Sequence, residues 1–186
     1  MKKVIGLVGE KGSGKQTFVN FLKDIATDLK ISQVRFSDIL AQTLLIWDLP
    51  VTRSNLQKLS IAMNDTFGEK TLAHAAEFNI ATDTADVIIL DGARQKEQIE
   101  MIKAQIGSVL IYITAERDLR YKRLKKRSEK VGETGLSFEQ FMKEEEVKTE
   151  TEIPKLGKKA EIKIENNGTL QDFKEKIQAF YNTNLK

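Results

Sequence analysis

The sequence predicts an α/β protein built on a five-stranded parallel sheet, and two observations lead to this prediction. Short apolar runs alternate with helical patterns along most of the 186 residues, as they do in sheets covered by helices on both faces. The first predicted strand, Lys2–Val8, has continuous rather than alternating apolar residues, which is typical of a strand buried on both faces. We expect the strand order 2-3-1-4-5, with ligand sites at the carboxyl ends of the strands.

The remaining elements are assigned from periodicity and from capping signals. Phe18, Phe21 and Leu22 share one face of a helix, Gly107 gives a helix stop, and Ser137 opens a capping box. The predicted elements are a helix over Thr17–Leu29, a strand over Gln33–Phe36, three helices between Asp38 and Thr82 with breaks near Pro50 and Gly68, a strand over Asp86–Leu90, a helix over Gln95–Ile106, a strand over Ser108–Ile113, a basic helix over Glu116–Arg127, an acid-rich helix over Ser137–Val147, a strand over Glu161–Ile164 and a helix over Leu170–Tyr181.

A glycine-rich loop follows the first strand and indicates a phosphate-binding site. Its glycines allow a tight turn that directs several backbone N–H groups at phosphate oxygens, and the following helix adds its positive end. Lys15 would reach the β and γ phosphates, and the Thr17 hydroxyl would bind Mg²⁺, while Gln16 would contribute mainly its backbone N–H. The loop therefore predicts binding of ATP with Mg²⁺. The predicted nucleotide-binding residues in it are Gly9, Lys11, Gly12, Ser13, Gly14, Lys15, Gln16 and Thr17.

The bulk composition is that of an ordinary globular protein, with 40% hydrophobic and 31% charged residues. A net charge of +3 is too small to indicate nucleic-acid binding, so we expect no nucleic-acid partner. The chain has no cysteine, which excludes disulfides, thiolate zinc sites and thiol nucleophiles. No apolar run is long enough to span a bilayer, and the sequence predicts a cytoplasmic protein without a membrane partner.

The spacing Gly-x-x-Gly-x-Gly-Lys-x-Thr, with its hydroxyl displaced by one residue, resembles the loop of adenylate kinase and its nucleoside monophosphate kinase relatives. That resemblance implies a three-layer P-loop NTPase fold. By the same resemblance, residues 1–186 form one kinase domain with its core at about 1–36, 83–127 and 155–186. A helical acceptor-binding region would cover about 37–82, and a lid about 128–154.

The segment Asp91-Gly92-Ala93-Arg94 follows the third predicted strand and resembles the Asp-Gly-x-Pro-Arg segment of adenylate kinases, one residue shorter and without its proline. The resemblance implies that Asp91 orients hydrated Mg²⁺ and that Arg94 holds a phosphate of the acceptor. The alternative is a turn aspartate before a glycine.

The basic helix carries Arg120, Arg123 and Arg127 at three- and four-residue spacing, so their side chains share one face. Guanidinium groups suit phosphate oxygens and could neutralise charge on the transferred phosphoryl group, which makes these arginines catalytic candidates. The alternative is a solvated basic face paired with the acidic cluster Glu144–Glu146.

Asp38 distinguishes two kinds of acceptor. A hydroxyl acceptor gains from a carboxylate that takes its proton, whereas a monophosphate is already anionic and needs no base. Asp38, placed after the second strand, could be that catalytic base. It could also be the N-cap of a helix beginning at Ile39.

A second resemblance concerns the end of the chain, where residues 160–170 look like the close of dephospho-coenzyme A kinases. It implies that Asn167 and Gly168 pack near the adenine. Residues 52–59 instead resemble the acceptor helices of deoxynucleoside monophosphate kinases, in which an arginine like Arg53 contacts the substrate phosphate. The overall pattern also resembles archaeal-type kinase-like proteins related to dephospho-coenzyme A kinase.

These features together predict an ATP- and Mg²⁺-dependent kinase with a nucleotide-like acceptor. Dephospho-coenzyme A is favoured slightly over a ribo- or deoxyribonucleoside monophosphate. The alternative from another class is a regulatory nucleotide-binding protein without small-molecule kinase activity. Outside the site, Trp47 is expected in the core or lining the acceptor pocket, His74 is expected to be structural, and Glu144–Glu152 is expected to be a solvated lid surface.

Overall fold

The structure is a computed structural model that describes residues 2–126 and 137–186. The strands are β1 (Lys3–Val8), β2 (Ile31–Arg35), β3 (Val87–Asp91), β4 (Val109–Thr114) and β5 (Ile162–Glu165). Across the described ranges they form one five-stranded sheet in the order β2-β3-β1-β4-β5. The predicted fold class and strand order are therefore confirmed.

Most helices occur where the periodicity predicts them, with ends shifted by a few residues, but the two short helices over Lys148–Thr151 and Ile153–Gly157 were not predicted. They are α1 (Lys15–Ile25), α2 (Phe36–Ile46), α3 (Arg53–Phe67), α4 (Thr71–Thr82), α5 (Lys96–Ala104), α6 (Arg117–Lys125), α7 (Phe138–Glu145), α8 (Lys148–Thr151), α9 (Ile153–Gly157) and α10 (Leu170–Asn184). The largest shift is at the end of α1, which stops at Ile25 rather than Leu29, and the same helix begins at Lys15 because Gly14 is its N-cap. None of the helices in the described ranges is long and apolar enough to cross a bilayer.

One compact unit comprises the chain through Gly6 together with Leu29–Val109. Its strands β2 and β3 pair in parallel, and their register places Arg35 opposite Asp91. All five residues of β3 are buried, whereas α3 contributes no buried residue. Helix α4 turns Ala76 and Ile80 inward, and the Lys2 ammonium donates to the carbonyl of Ile80 near its end.

The other unit comprises Leu7–Asp28 and the described residues of Leu110–Lys186. Helices α1 and α10 pack together in its core, and the Phe18 and Phe180 ring centroids lie 5.6 Å apart. Thr169 and Asp172 form a capping box that begins α10. Burying a phenylalanine stabilises a fold by about 1.5–3 kcal/mol, so this pair fixes the helix that follows the glycine-rich loop.

Helices α6 and α7 share a smaller cluster in the same unit, in which Leu124 and Phe141 are buried and Tyr121 packs against them. This corrects the prediction that Glu144–Glu152 forms a solvated surface. The Glu145 side chain is only 13% exposed, and Glu150 is 5% exposed. Glu145 lies on α7, whose inward side chain Phe141 is buried, whereas Glu150 lies on α8.

Two further expectations in the helical region are wrong. Trp47 is 72% exposed rather than part of the core, because Leu44 takes the inward position and α2 ends at Ile46. Asp38 is not an N-cap: the cap position is Arg35, and Asp38 lies exposed within the first turn of α2.

Candidate active site

At two positions the glycine-rich loop has a left-handed backbone that favours glycine. Gly12 has φ 72°, and a Cβ there would lie 2.7 Å from the carbonyl oxygen of Arg120. Gly14 has φ 108°, and a Cβ there would collide with the side-chain amide nitrogen of Asn166. Both glycines therefore permit a left-handed turn and close packing against later parts of the chain.

Lys15 is the first residue of α1, and its ammonium group lies over the loop. Its Nζ donates to the carbonyl oxygens of Gly9 at 2.6 Å and Glu10 at 3.1 Å. Thr17 is half-buried in the first turn of the helix, while the Gln16 side chain donates to Asn20 along it. Lys15 thus stands where the sequence pattern predicts a phosphate-binding cation.

Asn166 braces the loop from the end of β5, a role that sequence reasoning missed. Its Nδ2 donates to the Ser13 carbonyl at 2.8 Å, and its backbone N–H donates to Thr114 at 2.8 Å. Arg123 Nη2 donates to the Asn166 backbone carbonyl at 2.9 Å and to Oδ1 at 3.3 Å. The predicted residue Asn167 is exposed instead, and its Oδ1 accepts from the Glu116 backbone at 2.8 Å.

Arg120 and Arg123 bind carbonyl oxygens of the loop. Arg120 is 5% exposed and donates from Nε to Ala115 at 3.0 Å, from Nη1 to the Lys11 carbonyl at 3.3 Å and from Nη2 to Glu145 Oε2 at 2.6 Å. Arg123 Nη1 lies 3.5 Å from the Gly12 carbonyl, and burial lowers its pKa. The pairing of the basic helix with the acidic cluster thus occurs, but it is buried rather than solvated.

Arg127 and the segment 128–136 of the predicted lid lie outside the described residues. Of the three arginines predicted on the basic helix, Arg120 and Arg123 are described by the structure, and both act as braces for the loop. Each directs donors at backbone carbonyls of the loop or of Asn166, which holds the loop backbone in place.

Glu10 is an acid in a loop that the sequence predicts to bind phosphate, and its side chain is buried. The Tyr112 hydroxyl donates to Glu10 Oε1. Burial, and then this hydrogen bond, raises the pKa of Tyr112 to about 12. Gly157 makes room for the tyrosine, since a Cβ there would lie 2.6 Å from the ring. Sequence reasoning gave no signal for this pair.

A second polar cluster lies at the carboxyl ends of β2 and β3. Asp91 is 7% exposed, and its Oδ2 accepts from Gln33 Nε2 at 3.1 Å and lies 3.7 Å from Arg35 Nε. Gln33 and Arg35 were missed, although their two-residue spacing puts them on one face of a strand. The alternative that Asp91 is a turn residue is wrong, because it is the last residue of β3.

The Asp91 carboxylate fits a divalent cation. Its Oδ1 is buried and has no hydrogen-bond partner among the described residues. The described ranges contain no group of three or more His, Cys, Asp or Glu side chains that could hold a metal. Mg²⁺ commonly uses one or two protein ligands together with water and phosphate oxygens, so a single carboxylate suits it.

The predicted acceptor residues occupy helix starts in the same unit as Asp91. Arg53 is the first residue of α3, whose N-cap Thr52 accepts from Asn55 at 3.2 Å. Arg94 is half-buried just before α5, and its backbone N–H donates to Gln98 Oε1 at 2.7 Å. His74 is exposed on α4, where it takes no part in either polar cluster described above.

No family model matches the sequence. Two curated relatives are UPF0200-type proteins of archaea. The chain is 28% identical over 182 residues to the UPF0200/UPF0201 protein of Archaeoglobus fulgidus, a match that covers 95% of this chain and 54% of that protein. It is 23% identical over 188 residues to the UPF0200 protein of Methanosarcina acetivorans, covering 100% of this chain and 97% of that one. The chain thus spans about half the length of the Archaeoglobus relative.

Several solved structures are similar in fold. Shikimate kinase from Bacteroides thetaiotaomicron superimposes with a TM-score of 0.63 at 12% identity, over 96% of this chain and 98% of that one. Shikimate kinase from Aquifex aeolicus gives 0.55 at 14% identity, over 98% of both chains. TT1252 from Thermus thermophilus gives 0.61 at 17% identity, over 98% and 97%. The chain therefore has a P-loop kinase fold, which is the coarser part of the predicted resemblance.

Proposed function

We propose that the protein is a kinase that transfers the γ-phosphoryl group of ATP to a nucleotide-like small molecule, with dephospho-coenzyme A as the favoured acceptor. The observation that supports this most is the braced loop, in which Lys15 donates to the carbonyls of Gly9 and Glu10 and Asn166 holds the Ser13 carbonyl. The similar fold of solved small-molecule kinases supports the same class. A cytoplasmic location stays a prediction from the sequence.

The donor would be held by the loop N–H groups and by Lys15, whose ammonium would exchange its present carbonyl partners for phosphate oxygens. Thr17 and Asp91 would hold Mg²⁺, which when bound supplies neutralising charge on the phosphates. Asp91 Oδ1, buried without a described partner, supports its part in this proposal.

Acceptor chemistry would depend on Asp38. Its carboxylate is exposed in the first turn of α2, where it does not cap the helix and complements the positive helix end. A free carboxylate of this kind can accept the proton of an attacking hydroxyl group. This supports a hydroxyl acceptor, such as the ribose of dephospho-coenzyme A.

A nucleoside monophosphate is the second candidate acceptor, and the arginines favour it. Arg35, Arg53 and Arg94 all lie in the unit that contains Asp91, and a guanidinium group suits an acceptor phosphate. A regulatory protein that binds ATP without transferring phosphate is the alternative from another class.

ADP release should be measured in a coupled assay with dephospho-coenzyme A and with a panel of ribo- and deoxyribonucleoside monophosphates. We expect turnover with dephospho-coenzyme A, and a loss of about 100-fold or more in kcat for Asp38→Asn. Asp24→Asn, an exposed aspartate on α1, is the matched control.

Each other outcome selects an alternative. Turnover with monophosphates only, at a rate that Asp38→Asn keeps, would replace the hydroxyl acceptor with a phosphate acceptor. ATP binding without turnover on any acceptor would favour the regulatory protein. ATP affinity that is unchanged in a folded Lys15→Ala protein would remove the proposed phosphate site itself.

A further inference from the structure

Two consecutive glutamates at the end of α7 pair with cations that belong to the loop or brace it. The Lys11 ammonium pairs with Glu144, and the Arg120 guanidinium pairs with Glu145 at 2.6 Å. All four residues lie in one compact unit. Two cations at the glycine-rich loop, Lys11 and Arg120, are thus already paired with carboxylates of the protein.

The Arg120–Glu145 pair has a structural character. Both side chains are nearly buried, with 6% and 13% exposure, and Arg120 also donates to the carbonyls of Ala115 and Lys11. The same guanidinium lies 5.6 Å from the centre of the buried Phe141 ring. A buried ion pair with these additional contacts fixes the end of α7 next to the loop, because separating it would leave an uncompensated buried charge.

The Lys11–Glu144 pair has a different character. Its side chains are 18% and 32% exposed, so it lies at the rim of the loop rather than in the core. Lys11 is itself a loop residue, placed four positions before Lys15. Carboxylate and phosphate oxygens are the same kind of acceptor for an ammonium group. Glu144 therefore holds Lys11 through the interaction that a phosphate oxygen would otherwise make.

We propose that Glu144 is an internal competitor of the nucleotide, an autoinhibitory contact in which its carboxylate takes the place of a phosphate oxygen on Lys11. This inference rests on the proposed binding of ATP at the loop. Nucleotide binding exchanges the Lys11–Glu144 pair for a Lys11–phosphate pair, while the Arg120–Glu145 pair keeps α7 attached. The exchange lowers ATP affinity and ties it to the position of α7.

The test is the dissociation constant for ATP, measured calorimetrically without an acceptor. Glu144→Gln should bind ATP about tenfold more tightly than the unmodified protein, because neutralising the competitor removes one charge-assisted interaction. Glu139→Gln is the matched control: Glu139 lies on the same helix, is exposed, and pairs with Lys143 at 3.0 Å. It should leave ATP affinity unchanged.

A double-mutant cycle with Lys11→Gln separates the pair from a general effect of charge. In the Lys11→Gln protein, adding Glu144→Gln should change ATP affinity by less than about twofold. Thermal unfolding of every variant checks that it is folded. Glu144→Asp, whose shorter side chain retains the charge but loses reach, should also tighten binding and serves if the glutamine variant is unstable.

Equal or weaker ATP binding by folded Glu144→Gln would overturn the inference, and binding by the unmodified protein would leave the proposed function standing. A tightening that persists in full in the Lys11→Gln protein would also overturn it, since the effect would not pass through Lys11. Failure of the unmodified protein and of folded Glu144→Gln to bind ATP would overturn both proposals.

Discussion

The loop and the helices that follow β2 represent two ways of building a site. Around the loop, polar groups are joined by hydrogen bonds to residues far along the chain, as between Ser13 and Asn166 or Lys11 and Arg120. Helix α3 contributes no buried residue, and Ile46 and Trp47 at the end of α2 are 81% and 72% exposed. The first region is preorganised by the fold, whereas the second leaves much of its surface to solvent.

This difference indicates where the sequence is constrained. A buried polar group must keep its partner, because an unsatisfied donor or acceptor in the interior costs about 1–3 kcal/mol. An exposed side chain away from such networks can usually be replaced with little effect on stability. The glycine-rich loop and its braces should therefore be sensitive to substitution, and the exposed faces of α2 and α3 tolerant of it.

Among the substitutions that test this contrast, Asn166→Ala should have the largest effect on stability and on ATP affinity. The substitution leaves the Ser13 carbonyl without the donated amide hydrogen bond and removes the Oδ1 acceptor of Arg123. We expect the free energy of unfolding to fall by about 2–4 kcal/mol, since Ser13 loses a buried hydrogen bond and Arg123 loses a partly buried one. ATP affinity should fall about tenfold or more as the loop loses its brace. Urea denaturation and calorimetry measure the two quantities.

Asn182→Ala is the control for that experiment, because Asn182 is an exposed asparagine of α10 whose Oδ1 accepts only a local bond from Gln178 at 3.2 Å. It should change neither quantity appreciably. An Asn166→Ala protein with unchanged ATP affinity would show that the loop holds its shape without the brace.

Tyr112→Phe should have an intermediate effect on the free energy of unfolding. Without the hydroxyl, Glu10 loses its hydrogen bond while remaining buried at 7% exposure. We expect a loss of about 1–3 kcal/mol in the free energy of unfolding, measured by urea denaturation at neutral pH. Tyr181→Phe, which removes a hydroxyl that donates to the exposed Asp28 at 2.8 Å in the same unit, is the comparison and should lose less. Equal stability of the two variants would contradict the structural role of the Tyr112–Glu10 pair.

The same residue predicts how stability changes with pH. The pKa of Tyr112 is raised from about 10 to about 12 in the folded protein. The stability that Tyr112 contributes through this shift is fully present below a pH of about 10. It is lost as the pH rises toward 12, since the unfolded chain releases a proton that the folded protein keeps. Over this range stability should fall by about 1.4 kcal/mol per pH unit from this group. Tyr112→Phe should show a shallower fall, and an identical slope would contradict the assignment.

Trp47→Ala should have the smallest effect, within about 0.5 kcal/mol, because the side chain is mostly in solvent. Leu44→Ala, at a buried position of the same helix, should be clearly destabilising and serves as the control. Trp47 is the only tryptophan, so acrylamide should quench the fluorescence of the folded protein nearly as well as that of the unfolded chain. Strong protection from quenching would show that something covers this residue.

The sequence predicted those parts of the molecule that depend on local pattern. Strand order follows from alternating elements, and the loop follows from closely spaced glycines before Lys15. The helix boundaries moved because a cap such as Gly14 is a backbone conformation rather than a residue type. Local pattern was therefore sufficient for the fold.

The missed features depend on distant partners. Asn166 and Asn167 are adjacent and chemically identical, and only the direction of each side chain decides that the first braces the loop. In the same way, the burial of Glu145 depends on Arg120, and the role of Tyr112 depends on Glu10. Periodicity and motif spacing carry no information about such pairs, since each partner alone looks ordinary in its own segment.

The hydrogen bond from Asn166 to the Ser13 carbonyl also bears on the order in which parts of the chain fold. Its partner Ser13 lies 153 positions earlier in the chain, so closing this contact brings together segments made at very different moments of synthesis. The glycine-rich segment is made before β5, and its hydrogen bond to Asn166 can form only after β5 has been made. The loop should therefore reach its final form only when the later segment has folded onto it, and any property that depends on the loop would report the folding of both segments.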